Sequence, residues 1–235
     1  RYARRTYGTM SLTTGKGPLS AHPAGRFTAP MPEHVTYIEP FRRRVRAIRH
    51  GSTLIDSERV LLVHRPGRPP SYAFPTGDVE GLPTEPEIDS PGYVTVEWGA
   101  VDSWFEEDEQ VFGHPRNPFH RVDCLRSQRR LRVEAAGVTL VDTSDTVALF
   151  ETALEPRLYV DPRHVRIDLL VRSASQTYCP YKGTATYWSA RVGASALHDI
   201  AWSYEEPLPE SQPLRHLLSF DEGRVIVHHD LPLGG

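Results

Sequence analysis

Cysteine is scarce: the chain has only Cys124 and Cys179 in 235 residues. Two are too few for a disulfide framework, although one bridge could form. Free thiols of a cytoplasmic protein are the simpler expectation. There is no Cys-x-x-Cys pair, which excludes the usual structural zinc site. No apolar run approaches the roughly 18 residues that a membrane span requires. No signal-peptide pattern opens the chain, so cytoplasmic localisation is expected. Basic charge is not in excess. A net charge of −3 argues against a dedicated nucleic-acid binder. Long amphipathic helical patterns are missing too, whereas proline is plentiful at 21 residues, which favours turns and short elements.

What is there is a repeat. Arg44-Val45-Arg46 leads to Gly51-Ser52-Thr53-Leu54-Ile55-Asp56, and Arg130-Leu131-Arg132 leads at the same spacing to Gly137-Val138-Thr139-Leu140-Val141-Asp142. The match continues with Val60-Leu61-Leu62-Val63 against Val147-Ala148-Leu149-Phe150 after a one-residue slip. Further on, Ser71-Tyr72-Ala73-Phe74 matches Arg157-Leu158-Tyr159-Val160, and Val79 matches Val165. Trp104-Phe105-Glu106-Glu107 also resembles Trp202-Ser203-Tyr204-Glu205. Similarities in one order at one spacing indicate two diverged copies of a single domain. Arg-x-Arg around an apolar residue has the period of a half-buried strand, and Gly51 and Gly137 stand where a turn needs positive φ. Each copy therefore begins as a strand, turn, strand hairpin.

The expected fold is all-β. An arm spans residues 1–40, a first copy 41–118 and a second copy 119–235. Gly113-His114-Pro115 and Asn117-Pro118 punctuate the boundary. Further strands are expected at 165–171, 184–192, 200–204 and 224–228, with a short helix within 207–218, where Leu208, Leu214, Leu217 and Leu218 can share a face. The arginines of residues 42–49 read either as an anion-binding arm or as a charged strand edge that discourages aggregation. Residues 102–109 are conversely acidic, and residues 80–92 form a proline- and acid-rich loop in the place where the second copy carries Tyr178–Thr184.

The second copy holds the one chemically rich string, Tyr178-Cys179-Pro180-Tyr181-Lys182-Gly183-Thr184. With the following Ala185-Thr186-Tyr187-Trp188 it resembles the hallmark of domain-of-unknown-function family 427, also filed under a nucleotidyltransferase-like name. Asp142, Glu151-Thr152 and Trp202-Ser203-Tyr204 stand in the family's order. The resemblance covers roughly residues 35–230 as a tandem member with a degenerate first copy, and implies a compact β fold of tent or barrel type. A nucleotidyltransferase-like enzyme is implied by the name alone. The chain departs from the family at His164, where an acid is usual; the first copy keeps Asp78.

Several side chains are candidates for chemistry. An ammonium at Lys182 near Cys179 would favour the thiolate, form a Schiff base or pin an anion. The alternative is an inert buried thiol and a lysine reaching water. Lys182, Cys179 and Glu151 are the catalytic candidates. Tyr178, Tyr181, Thr184, Tyr187, Trp188, Tyr159, Arg157, Trp202 and Tyr204 are the ligand-binding set, lining a pocket or filling a core. Asp168 could join them. Lys182-Gly183-Thr184 lacks the order of a phosphate-binding loop. His228 and His229 are adjacent on a strand and point to opposite faces, so no metal site is expected there, nor any cofactor. The expected partner is a small molecule, anionic or carbonyl-containing, with no nucleic acid and no membrane. A protein-interaction scaffold is the alternative.

Overall fold

The computed structural model describes residues 12, 13, 15–30 and 35–232. Much of the expected arm, including residues 1–11, lies outside them. Strands dominate, and helical turns are short and of the 3-10 type. No helix among the described residues is long and apolar enough to cross a membrane. The chain divides into two compact units, Arg1–His120 and Arg121–Gly235.

The first unit runs β1 (Tyr37–Phe41), β2 (Val45–Arg49), β3 (Ser52–Ser57), β4 (Val60–His64), β5 (Ser71–Pro75), β6 (Glu85–Pro86), β7 (Tyr93–Thr95), β8 (Ser103–Glu106) and β9 (Glu109–Val111). They form two sheets, ordered β1-β4-β5-β7-β6 and β3-β2-β8-β9. The second unit runs β10 (Val122–Ser127), β11 (Leu131–Ala135), β12 (Val138–Thr143), β13 (Thr146–Glu151), β14 (Arg157–Val160), β15 (Leu170–Cys179), β16 (Gly183–Val192), β17 (Ser195–Tyr204), β18 (Leu218–Phe220) and β19 (Ile226–His229). Its sheets are ordered β10-β13-β14-β18-β17-β16-β15 and β12-β11-β19. All four sheets are open, so the barrel form of the expectation does not hold; the all-β class does.

The two units repeat each other in local detail. Hairpins β2–β3 and β11–β12 each turn on two positive-φ residues, His50-Gly51 and Ala136-Gly137. That pair of angles gives the tight turn whose twist matches the flanking strands. Both hairpins carry a register irregularity at the same place, Ala47/Ile48 and Val133/Glu134. Both carry the same outward ion pair, Arg44–Asp56 and Arg130–Asp142. Isolated bridges tie Ile55 to Val79 and Val141 to Val165. Arg43, just before β2, and Arg46 on it meet the acidic stretch directly, through Arg43–Glu106 and Arg46–Asp108. They belong to a charged strand pair.

Other sequence matches are corrected. Trp104 stands on β8, which pairs with β2, whereas Trp202 stands on β17, which pairs with β16 and β18. The strand that occupies the place of β8 in the second unit is β19, beside β11. In the first unit β7 pairs with β5 as β18 pairs with β14, and β6 follows it outward as β17 does. Among the described residues the first unit's sheet thus stops two strands short, and the β15–β16 hairpin has no counterpart. No strand begins at Val165. Pro162–His164 and Ile167–Leu169 are 3-10 turns and β15 starts at Leu170. The helix expected within 207–218 shrinks to a 3-10 turn, Pro209–Leu214, because Pro213 inside it has no N–H to continue a ladder.

The long sheet of the second unit is buried on both faces, and strand alternation sorts its side chains. One face sends Ala148, Leu158, Val160, Ala201, Leu218 and Phe220 into a core shared with Leu131, Val133, Leu140 and Val141 of the small sheet. The opposite face sends Val122, Leu149, Tyr159, Ala185 and Tyr204 into a second cluster, covered by Tyr181, Leu214 and Leu217. That second face carries the chemistry.

Candidate functional site

The motif Tyr178–Thr184 is the turn between β15 and β16, closed by the pairs Cys179↔Gly183 and Tyr178↔Thr184. Gly183 has φ +92, and a Cβ there would lie 3.3 Å from the Glu206 carbonyl oxygen. Only glycine takes that conformation with a neighbouring backbone so close. The segment passing over it is bonded down: the Leu208 amide donates to the Lys182 carbonyl at 3.1 Å, and the Ser211 hydroxyl donates to the Tyr181 carbonyl at 3.4 Å. With its backbone clamped, the turn directs Lys182 into the protein.

There Lys182 Nζ donates to Glu151 Oε2, a carboxylate at the end of β13. Both residues are buried, at 7% and 8% exposure. Burial pushes the lysine pKa down, but Cys179, Glu151 and Tyr159 outweigh it, so the ammonium is held above its ordinary value. Burial pushes the Tyr159 phenol up to about 12 and the Cys124 thiol up to about 11, each against the pull of Lys182. Burial likewise raises Tyr204, with Tyr159 adding to it. Tyrosines and Cys124 are therefore protonated at neutral pH, and the one strong ion pair sits among neutral polar groups. Desolvating such a pair costs several kcal/mol per ion, on the order of what its mutual attraction returns.

Of the sequence candidates, the structure brings together Lys182, Glu151, Cys179, Tyr159, Tyr181, Tyr187, Trp202 and Tyr204. Trp202 Nε1 donates to the Tyr159 hydroxyl at 3.1 Å, and the Arg157 guanidinium stacks 5.3 Å over the Trp202 ring. Tyr187 shares a hydrogen bond of 3.1 Å with Thr177. Three candidates lie elsewhere. Tyr178 and Thr184 are exposed. Trp188 packs against the other core, with Nε1 donating to Ser203 Oγ at 2.9 Å and Arg172 stacked 5.2 Å away. Period-two alternation separates them, since Cys179, Ala185 and Tyr187 share one face and Tyr178, Thr184 and Trp188 the other. Asp168 is exposed and paired with Arg166.

A cleft of about 420 Å³ opens on this same face. One row of the sheet forms its floor, in the register Arg126↔Val147↔Tyr159. Cys124 and Leu217 line it as well, and Asp145, Asp161 and Arg163 stand at one end. Lys182 does not line it. It lies behind Tyr159, engaged with Glu151, so it is not the open cation that the motif suggests. Arg126, by contrast, is exposed and has no ion-pair partner among the described residues. Sequence reasoning missed Arg126, Asp145, Asp161 and Arg163, which read as strand-edge and turn residues.

His164 also finds its explanation here. In the first unit Arg59 pairs with Asp78 at 2.5 Å. In the second unit Asp145 takes the place of Arg59, each with its amide donating 3.1 Å to the hydroxyl two residues back. His164 takes the place of Asp78 and meets Asp145 at 3.2 Å. The pair is kept with its polarity reversed. His164 and Arg163 hold the Asp145 carboxyl below the usual range.

The first unit is built differently on the corresponding face. Just after β4, Arg65 stands where Glu151 stands in the second unit, since Tyr37↔His64 matches Asp123↔Phe150 and Leu61↔Ala73 matches Val147↔Tyr159. Arg65 pairs with the buried Glu87 at 2.5 Å, and His64 Nε2 lies 3.0 Å from Glu39. In the second unit a smaller cleft of about 230 Å³ is lined by Arg130, Arg132, His228, His229 and Asp230. Among the described residues no three His, Cys, Asp or Glu side chains gather as metal ligands.

No curated protein matches the chain. A family model does: residues 123–230 match the family described as domain of unknown function (DUF427). That match covers nearly all of the second unit and includes the β15–β16 turn, the buried Lys182–Glu151 pair and the cleft beside it. The second unit is, on this match, similar to the family described as domain of unknown function (DUF427).

Proposed function

We propose that the second unit binds a small organic molecule in the cleft over Tyr159, and that Lys182–Glu151 is the buried anchor of that site. The observation that carries this reading is a coincidence of place. The unit's one buried ion pair among the described residues and its larger described cleft share the same sheet face and the same side chain, Tyr159. A volume of about 420 Å³ falls within the range of small-molecule sites. The walls mix apolar surface from Val147 and Leu217 with a few polar groups, as such sites do. The ammonium, fixed by Glu151, sets the potential felt by Tyr159 and Cys124 without touching the ligand. On this reading the first unit is a degenerate copy. Among its described residues it lacks the β15–β16 hairpin, and it carries Arg65 in place of Glu151, so it does not duplicate the site.

A thermal-shift screen of diverse metabolites tests this. A ligand at one hundred times its dissociation constant stabilises by about 2.7 kcal/mol, a shift of several degrees. Leu217→Trp, which fills the cleft mouth, should remove the shift. Hits that survive Leu217→Trp unchanged would place binding elsewhere and overturn the reading.

A further inference from the structure

The floor of the cleft says more about the ligand than its volume does. Arg126, Val147 and Tyr159 are successive partners across three strands, on one face, about 4.8 Å apart from strand to strand. A ligand lying on Val147 therefore has a guanidinium on one side and a phenol on the other. The Tyr159 hydroxyl is buried and accepts from Trp202 Nε1, so the residue offers a ligand its ring face and not its oxygen. The Cys124 thiol adds a weak donor. Both carboxylates at the far end are engaged: Asp145 by Arg163 and His164, and Asp161 by the Arg163 amide at 2.9 Å. Both acids thus have basic or amide partners, and the charge on the cleft lining with no ion-pair partner among the described residues is Arg126.

Resting on the reading of the cleft as a binding site, we infer that it selects ligands bearing a carboxylate or a phosphate, docked on Arg126 with the rest of the ligand over Val147 and the Tyr159 ring. A guanidinium offers either group two parallel N–H donors. A neutral ligand can accept a hydrogen bond from it but gains no ion pair and no two-fold charge-assisted contact.

The test uses the isotope-labelled full chain in an NMR titration with benzoate, phenyl phosphate and benzamide. These share a ring and differ in charge. Benzoate or phenyl phosphate should shift the amides of Arg126, Val147 and Tyr159, and bind at least tenfold more tightly than benzamide. Arg126→Gln should weaken the anion at least tenfold and leave benzamide as it was. Because Arg126 is exposed, its replacement leaves the fold in place, which the rest of the spectrum verifies. Raising salt from 0.05 to 0.5 M should weaken the anions alone. Benzamide binding as tightly as the anions, or anion binding indifferent to Arg126→Gln, would overturn the inference while leaving the cleft as a site. Silence of the cleft amides toward all three probes and toward neutral and cationic fragments would remove the site itself. Which of the two anions binds more tightly distinguishes a carboxylate ligand from a phosphate ligand.

Discussion

Lys182→Met is a sharp perturbation because it removes a charge without removing much volume. Glu151 is then left at 8% exposure without the Lys182 ammonium. Breaking a buried pair in this way costs about 3–5 kcal/mol, since the remaining charge keeps its desolvation penalty and loses its partner. In urea, with a slope of about 2 kcal/mol per molar, the midpoint of the second unit should fall by roughly 2 M. In a thermal scan the loss amounts to about 10–20 °C for a unit of this size. Glu151→Gln should cost a comparable amount, because it strands the ammonium. The double variant Lys182→Met/Glu151→Leu removes both charges and should recover most of the loss, as apolar replacements of buried pairs do. The double-mutant cycle therefore predicts strong, positive coupling. Single variants that each lose less than about 1 kcal/mol and add independently would refute the reasoning. That is the behaviour of an ion pair in water, and Lys182 would then be an exposed functional cation after all.

Gly183→Ala forces a Cβ to within 3.3 Å of the Glu206 carbonyl at φ +92, so it should cost about 1–3 kcal/mol and speed hydrogen exchange at the Leu208 amide. Unchanged exchange there would contradict the clamp. Cys124 should resist alkylation: with its thiol pushed up to about 11, its thiolate fraction at pH 7.5 is roughly 300-fold below that of an ordinary cysteine, and mass spectrometry after iodoacetamide should show this. Modification of Cys124 at the rate of a free peptide thiol would be the contrary result. In the first unit, burial holds the His64 pKa below its ordinary value against the opposing pull of Glu39, and its Nδ1 has no partner among the described residues. The unfolded state then binds more protons below about pH 6.5, so stability should fall as pH drops from 6.5 toward 5, by at most about 1.4 kcal/mol per pH unit for this ring. Urea titrations across that range should show the slope flatten in His64→Leu; an identical slope would assign the effect to other groups.

The hairpins were legible from sequence because three independent signals agreed at each: alternation on Arg-x-Arg, a turn glycine, and hydroxyl or acid residues in the next turn. The motif was legible because its glycine and lysine are tied to one backbone geometry. The Trp104 and Trp202 match failed because strands of similar content are interchangeable on paper, and only hydrogen bonding assigns one to β8 and the other to β17. The division of the aromatic set was readable in principle from period two. Register irregularities in β15 and β16, between Arg172 and Gln176 and between Trp188 and Ala190, shift the phase and hide where each face begins. Arg126, Asp145, Asp161 and Arg163 were invisible because the row that joins Arg126 to Tyr159 spans three strands, and the cleft end gathers turn residues far apart in the chain.

Crystals of the full chain soaked with a fragment library of acids, amides and amines would test the central claim most directly. The account predicts fragments, acids foremost, lying over Tyr159 between Arg126 and Leu217, with Lys182 Nζ still bonded to Glu151 behind them. Fragments that gather only elsewhere, or a Lys182 side chain turned out of its pair to meet one, would contradict it.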